Sequence, residues 1–158
     1  MNIALIGYPG SGKSSFINTF LKYDALSTWD ENIQNYICYD YIHPIITETL
    51  YPTIIIHSKK VYLEKYENGE MLSRHSEKHD IIRQLSMKRN ENFDKNIYFI
   101  YYHPMKKNFK NYIFTDLPGV FEKNKYEYNI VKKFIEFNNE LDDDDMIKIN
   151  IILTIIPT

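Results

Sequence analysis

Hydrophobic positions along this chain fall into short runs and spaced stripes that predict alternating strands and helices. Ile3-Ala4-Leu5-Ile6 is a continuous apolar run of strand type, and Phe16, Ile17, Phe20 and Leu21 follow it at helical spacing. Residues 23–50 mix aromatic and polar side chains without a clean period, which predicts a long loop. Thr53-Ile54-Ile55-Ile56-His57 and Val61-Tyr62-Leu63-Glu64-Lys65-Tyr66 read as two strands forming a hairpin, with turns at His57-Ser58-Lys59-Lys60 and at Glu67-Asn68-Gly69-Glu70. Residues 73–90 are polar but hold Ile81, Ile82 and Leu85 at helical spacing, with Lys88 and Arg89 near the favourable end of the dipole.

The second half repeats the alternation. Ile97 to Tyr102 is aromatic and β-branched and ends at His103-Pro104, and Tyr112-Ile113-Phe114-Thr115 predicts an adjacent antiparallel strand. Ile130, Phe134, Phe137 and Leu141, widened by Val131 and Ile135, form one face of a helix that should pack on the sheet. Asp142-Asp143-Asp144-Asp145 closes that helix as a solvated connection, with metal binding the less favoured reading. The run Ile147 to Ile156, interrupted only by Lys148, Asn150 and Thr154, is expected as a strand covered on both faces inside a parallel sheet.

Between the first strand and the first helix lies Gly7-Tyr8-Pro9-Gly10-Ser11-Gly12-Lys13-Ser14, which fills every fixed position of the phosphate loop G-x-x-x-x-G-K-[ST]. Glycines let the backbone take positive φ and approach oxygen atoms closely, so successive N–H groups from Gly10 to Ser14 can curl around a phosphate. Lys13 reaches the outer phosphates in such loops, and the Ser14 hydroxyl ligates Mg²⁺. Nucleoside-phosphate binding is therefore expected, and the loop over residues 23–50 is placed on the nucleotide side.

Composition narrows the setting. With 158 residues and 44% hydrophobic content the chain supports one core, so a single domain over residues 1–158 is expected. The net charge of −2 exerts no general pull toward nucleic acid or an anionic membrane. Cys38 is the only cysteine, so no internal disulfide forms. No apolar run reaches the roughly 18 residues of a membrane span and the N-terminus lacks a secretion signal, which together predict a cytoplasmic protein.

A second anchor lies at Asp116-Leu117-Pro118-Gly119, where a carboxylate ends an apolar strand, the place where open α/β sheets collect ligands. Asp116 can hold Mg²⁺ through water, and the Gly119 N–H can approach a terminal phosphate without a Cβ in the way. Lys13-Ser14-Ser15 together with Asp116-Leu117-Pro118-Gly119 resembles the GTPase domain of the dynamin superfamily. The resemblance extends to Thr49-Leu50-Tyr51-Pro52-Thr53-Ile54-Ile55-Ile56, which looks like that family's first switch, to the strand Ile97–Pro104, and to the closing Ile-Leu-Thr-Ile-Ile-Pro.

The resemblance implies a three-layer α/β sandwich of the P-loop NTPase type, with a mixed, mostly parallel sheet incomplete at its C-terminal edge. It implies GTP and GDP as ligands, Mg²⁺ as cofactor, and Gly7, Gly10, Ser11, Gly12, Lys13, Ser14 and Ser15 as the nucleotide cradle. Thr49 would place its hydroxyl on Mg²⁺ and its backbone on the attacking water, with Thr47 and Thr53 as alternatives for that role. Asp116 and Gly119 would form the second switch. It also implies a homo-oligomer through the nucleotide face and, for the family at large, membranes as targets.

Two departures qualify this. Relatives commonly carry Gln and Ser where this chain has Pro9 and Gly10, side chains that help position water and a monovalent cation, so reduced turnover is expected. The family's guanine-reading [Thr/Asn]-Lys-x-Asp segment does not occur before Thr158, so no residue is assigned to the base. A fragment, a truncated gene product, or a piece completed by another polypeptide is the expectation. Two other readings stay open. The loop is close to the G-x-P-G-S-G-K-[ST] form of nucleotide kinases, although Arg74, Arg83 and Arg89 are the only arginines. A catalytically weak module pairing with an intact GTPase is the other. His75 and His79, four apart on the expected helix, read as surface residues rather than metal ligands, and His57 and His103 sit at strand ends without a role.

Overall fold

The computed structural model describes residues 1–8, 10–21, 27–30, 35–38, 49–86, 95–120 and 125–156. In chain order the elements are β1 (Asn2–Gly7), α1 (Lys13–Asn18), β2 (Ser27–Asp30), β3 (Asn35–Cys38), β4 (Thr53–His57), β5 (Tyr62–Glu67), β6 (Glu70–His75), α2 (Lys78–Ser86), β7 (Ile97–His103), β8 (Ile113–Asp116), α3 (Lys125–Asn139) and β9 (Ile149–Ile155). Seven strands form one mixed sheet in the order β6-β5-β7-β4-β8-β1-β9. β1 lies parallel to β8 and β9, β4 is parallel to β7, and β4 meets β8 antiparallel.

Strand alternation sorts the apolar side chains into two layers. Leu5, Ile55, Leu63, Phe99, Tyr101 and Phe114 share one core with Ile17 and Leu21 from the α1 region and Ile81 and Leu85 from α2. Ala4, Ile54, Ile56, Tyr98, Ile100 and Ile113 share the other with Val131 and Phe134 of α3. The α/β sandwich expected from the sequence is thus present, with a helix layer on each side of the sheet.

Several pairings differ from the sequence expectation. The turn at residues 58–60 does not join a hairpin, because β7 inserts between β4 and β5. The hairpin instead joins β5 to β6 across Asn68 (φ 50°) and Gly69 (φ 88°), since an Asn-Gly pair supplies the two positive φ values a tight hairpin requires. The polar stretch expected as helix over 73–90 therefore begins in a strand, and the helix is confined to Lys78–Ser86 within the described residues. His75 accordingly ends β6 while His79 lies in α2, and Lys88 and Arg89 lie outside the described residues.

β7 and β8 run antiparallel but are not neighbours, because β4 sits between them and pairs with both. β4 is buried at Thr53 through Ile56, and a strand with both faces covered is suited to a central position. Within the region expected as a loop over 23–50, β2 and β3 form a short antiparallel ribbon with Trp29 opposite Tyr36. β9 lies at the end of the sheet, in keeping with a sheet incomplete at its C-terminal edge, but Asn150 to Thr154 are exposed, so the strand is not covered on both faces as its apolar run predicts.

A buried polar network joins β1, β8, α3 and the approach to β9. Asn2 Nδ2 donates to Ile147 O (2.8 Å), and Thr115 Oγ1 donates to Asn2 Oδ1 (2.8 Å). Asn138 Nδ2 donates to the same Ile147 carbonyl (2.8 Å), and Asn138 Oδ1 accepts from Ile149 N (2.8 Å). The acidic run leading there is exposed, and Asp145 Oδ1 caps the turn by accepting from Ile147 N (3.0 Å). No helix among the described residues is long and apolar enough to cross a membrane.

Candidate nucleotide site

The phosphate loop leaves β1 in a shape that its glycines permit. A Cβ on Gly7 would stand 2.6 Å from the Ile155 carbonyl oxygen and 2.9 Å from Ser11 Oγ, so only glycine lets β1 lie against β9 at that point. Gly10 (φ 75°) and Gly12 (φ 94°) carry the two left-handed steps that bend the loop. Ser11 N donates to Tyr8 O (3.1 Å) and Phe16 N to Gly12 O (2.9 Å), which closes the loop onto the first turn of α1. Ser14 and Ser15 stand in that turn, with side chains outside the described residues, as is Pro9.

Lys13 folds back over this loop. Its Nζ donates to Tyr8 O (3.0 Å), Gly7 O (3.3 Å) and Ser11 Oγ (3.4 Å), with only 5% of the residue exposed. Burial pushes the ammonium pKa down, and the negative charge of Asp116 works in the opposite direction. That coupling places the two distant motifs, Lys13 and Asp116, within electrostatic reach of one another.

Pairing explains how Asp116 arrives. It ends β8 opposite Leu5 of β1 on one side and opposite Thr53 of β4 on the other, and it is fully buried. The segment that follows turns back over β1: Gly119 is buried, and Val120 N donates to Gly7 O (3.0 Å). The Gly7 carbonyl thus receives both the Lys13 ammonium and the Val120 amide, tying the second motif to the first.

Thr49 completes the cluster, its Oγ1 donating to Asp116 Oδ2 at 3.0 Å. It lies just ahead of β4, where Thr53 Oγ1 donates to Tyr51 O (3.0 Å) and Phe99 N donates to Pro52 O (2.9 Å), so the turn into the strand is held from both sides. Of the alternatives to Thr49, Thr53 directs its hydroxyl to the Tyr51 carbonyl, and Thr47 lies outside the described residues. Gly7, Gly10, Ser11, Gly12, Lys13, Thr49, Asp116 and Gly119 are therefore brought to one end of β1 and β8.

Sequence reasoning passed over two contributors, the Val120 amide and the Gly7 carbonyl. Both act through backbone atoms, which leave no side-chain pattern to read. The oxygen donors at Thr49 and Asp116 are of the hard type that Mg²⁺ selects, and this ion typically takes one or two protein oxygens and completes its shell with phosphate and water. Among the described residues no three His, Cys, Asp or Glu side chains converge.

Among the solved structures similar to this chain are two of one description. One is described as "An oligomerised bacterial dynamin pair provides a mechanism for the long-range sensing and tethering of membranes" (20% identity, 84% of this chain and 18% of that one, TM-score 0.45). The other carries the same description (21% identity, 98% of this chain and 20% of that one, TM-score 0.48). The chain thus spans about a fifth of the length of those proteins. No curated protein matches the sequence. The Dynamin family matches residues 3–141, most of the chain and both motifs of the site, and the chain accordingly belongs to the dynamin family.

Proposed function

We propose that this domain binds GTP together with Mg²⁺ and hydrolyses its terminal phosphate. The observation that supports this most is the convergence of Lys13, Thr49 and Asp116, residues from three separate stretches, beside a loop whose amides suit a polyanion. In this reading Gly7, Gly10, Ser11, Gly12, Lys13, Ser14 and Ser15 hold the phosphates. Ser14, Thr49 and Asp116 hold the cation, Asp116 through water. When bound, Mg²⁺ neutralises charge on the phosphate oxygens. The Thr49 backbone orients the attacking water, and the Gly119 amide donates to the terminal phosphate.

Pro9 and Gly10 stand where relatives commonly carry positioning side chains, so turnover is slow while binding, resting on amides and Lys13, persists. Family membership favours hydrolysis over transfer to a nucleotide acceptor. A cytoplasmic setting, pairing of copies through the nucleotide face, and a membrane target belong to the same reading and rest on the family alone.

The test is titration of a fluorescent GTP analogue in Mg²⁺ against the chain and against Lys13→Ala, with an ATP analogue beside it. Loss of affinity by at least about tenfold, or about 1.4 kcal/mol, is expected for Lys13→Ala. Equal binding by both proteins overturns the proposal.

A further inference from the structure

The helix that follows the phosphate loop is short. α1 runs for six residues, too few to hold a helix together in water on its own, and it carries no basic residue in its last turn. Lys13 and Ser14 open it, so the direction of α1 sets where these two residues stand. That direction has to be fixed from outside.

The fixing comes from the connection between β7 and β8. Lys106 Nζ donates to Thr19 O (2.6 Å), and Lys106 N donates to Phe20 O (2.9 Å). Met105, fully buried, bridges to Leu21. The cation that a helix C-terminus favours is thus supplied by a residue 87 positions from its acceptor.

The same two residues hold β4. Met105 N donates to Nδ1 of His57, the last residue of that strand (3.0 Å), and Ser58 N donates to His103 O (3.1 Å) beside it. The opposite end of β4 receives the turn that carries Thr49, anchored there by Thr53 and Pro52. Consecutive residues therefore tie together the trailing ends of two elements whose leading ends bring Ser14 and Thr49 toward the nucleotide.

We propose that Lys106 is a positioning residue for the cation site: by fixing the far end of α1 against β4, it sets the separation between Ser14 and Thr49. The inference rests on the nucleotide reading above, in which those two residues share Mg²⁺, and adds that Lys106 serves the cation more than the phosphates. Gly7 to Gly12 follow directly from β1, which Lys106 does not touch in the contacts described, whereas Ser14 and Thr49 come from the two braced elements. Small displacements of groups that must act together are costly.

The test measures affinity for a fluorescent GTP analogue in Mg²⁺ and in excess EDTA. Lys106→Met keeps the stem and removes the ammonium. The gain in affinity that Mg²⁺ confers should then fall about threefold, while affinity in EDTA and the melting temperature stay at the parent values. Lys106→Arg should restore the gain, and Lys107→Met, at the exposed neighbouring lysine, should leave it unchanged. A Mg²⁺ gain equal in Lys106→Met and the parent overturns the proposal, as does an equal loss in Lys107→Met. A loss shared by EDTA affinity and melting temperature overturns it too, since that marks a merely structural role. A parent that binds no analogue, or binds it no better with Mg²⁺, ends the nucleotide reading itself and this proposal with it.

Discussion

Thr49 and Asp116, 67 residues apart in sequence, meet through a 3.0 Å hydrogen bond from hydroxyl to carboxylate. Neither residue is positioned by its own loop. Asp116 is held by strand neighbours on both sides, and Thr49 by the turn that Pro52 and Thr53 anchor to β7 and to Tyr51. The contact therefore reports the register of β8 against β4 at the end of the sheet where the phosphate loop begins.

Thr49→Ala should lower single-turnover GTP hydrolysis by roughly 10² to 10³, the scale of removing one preorganised polar contact, with little change in nucleotide affinity. Thr49→Ser should restore most of the rate. Thr53→Ala, which removes the hydroxyl bonded to Tyr51 O, should cost less. Chemical quench with all three variants checks this, and equal rates for Thr49→Ala and the parent protein contradict the assignment.

Gly7→Ala pushes a methyl group to within 2.6 Å of a backbone oxygen that cannot swing aside. Overpacking of this kind costs about 1–3 kcal/mol, which for a domain of this size lowers the melting temperature by several degrees. Gly10→Ala meets no atom within 4 Å but must take φ 75°, so its cost should be nearer 1 kcal/mol. Thermal melts of both variants separate contact from backbone strain.

Asn2→Leu should destabilise the fold by about 1–3 kcal/mol, because Thr115 Oγ1 loses its acceptor and Ile147 O loses one of its two side-chain donors. Thr115→Val alone should cost less. Since the two residues share one bond, the double variant should cost less than the sum of the singles, and urea unfolding of the set measures that coupling.

His103 is fully buried, and its Nδ1 donates to Pro104 O at 2.7 Å. Burial pushes its pKa from 6.5 down to about 4, with His57 lowering it further and the Pro104 carbonyl opposing the shift. The unfolded chain binds the proton first as pH falls. Stability from this residue is thus fully present above pH 6.5 and is lost between there and about pH 4, by about 3 kcal/mol. His103→Asn should flatten the pH dependence of unfolding in that window, as urea titrations from acid to neutral pH would register.

Local chemistry was legible where a short stretch carries its own signal. The phosphate loop, the strand ending at Asp116, the helix stripe of Val131 and Phe134 and the Asn68-Gly69 turn all announce themselves through spacing or through glycine. The resemblance joins Thr49 and Asp116 to the loop from the sequence. Adjacency was not legible. Strands 53–57 and 62–67 look like hairpin partners because few residues separate them, yet the neighbour of β4 on that side comes from some forty residues later.

Sequence by itself therefore determined which segments extend or coil, where the backbone must bend, and which oxygens and nitrogens are available to a phosphate and its cation, because these depend on residues close together in the chain. Tertiary structure decided what lies beside what: β7 between β4 and β5, β4 between β7 and β8, and the Val120 amide on the Gly7 carbonyl. The physical reason is that strand pairing uses backbone groups that nearly every residue carries, so partner choice is settled by the collective burial of two faces of a sheet and not by any local pattern.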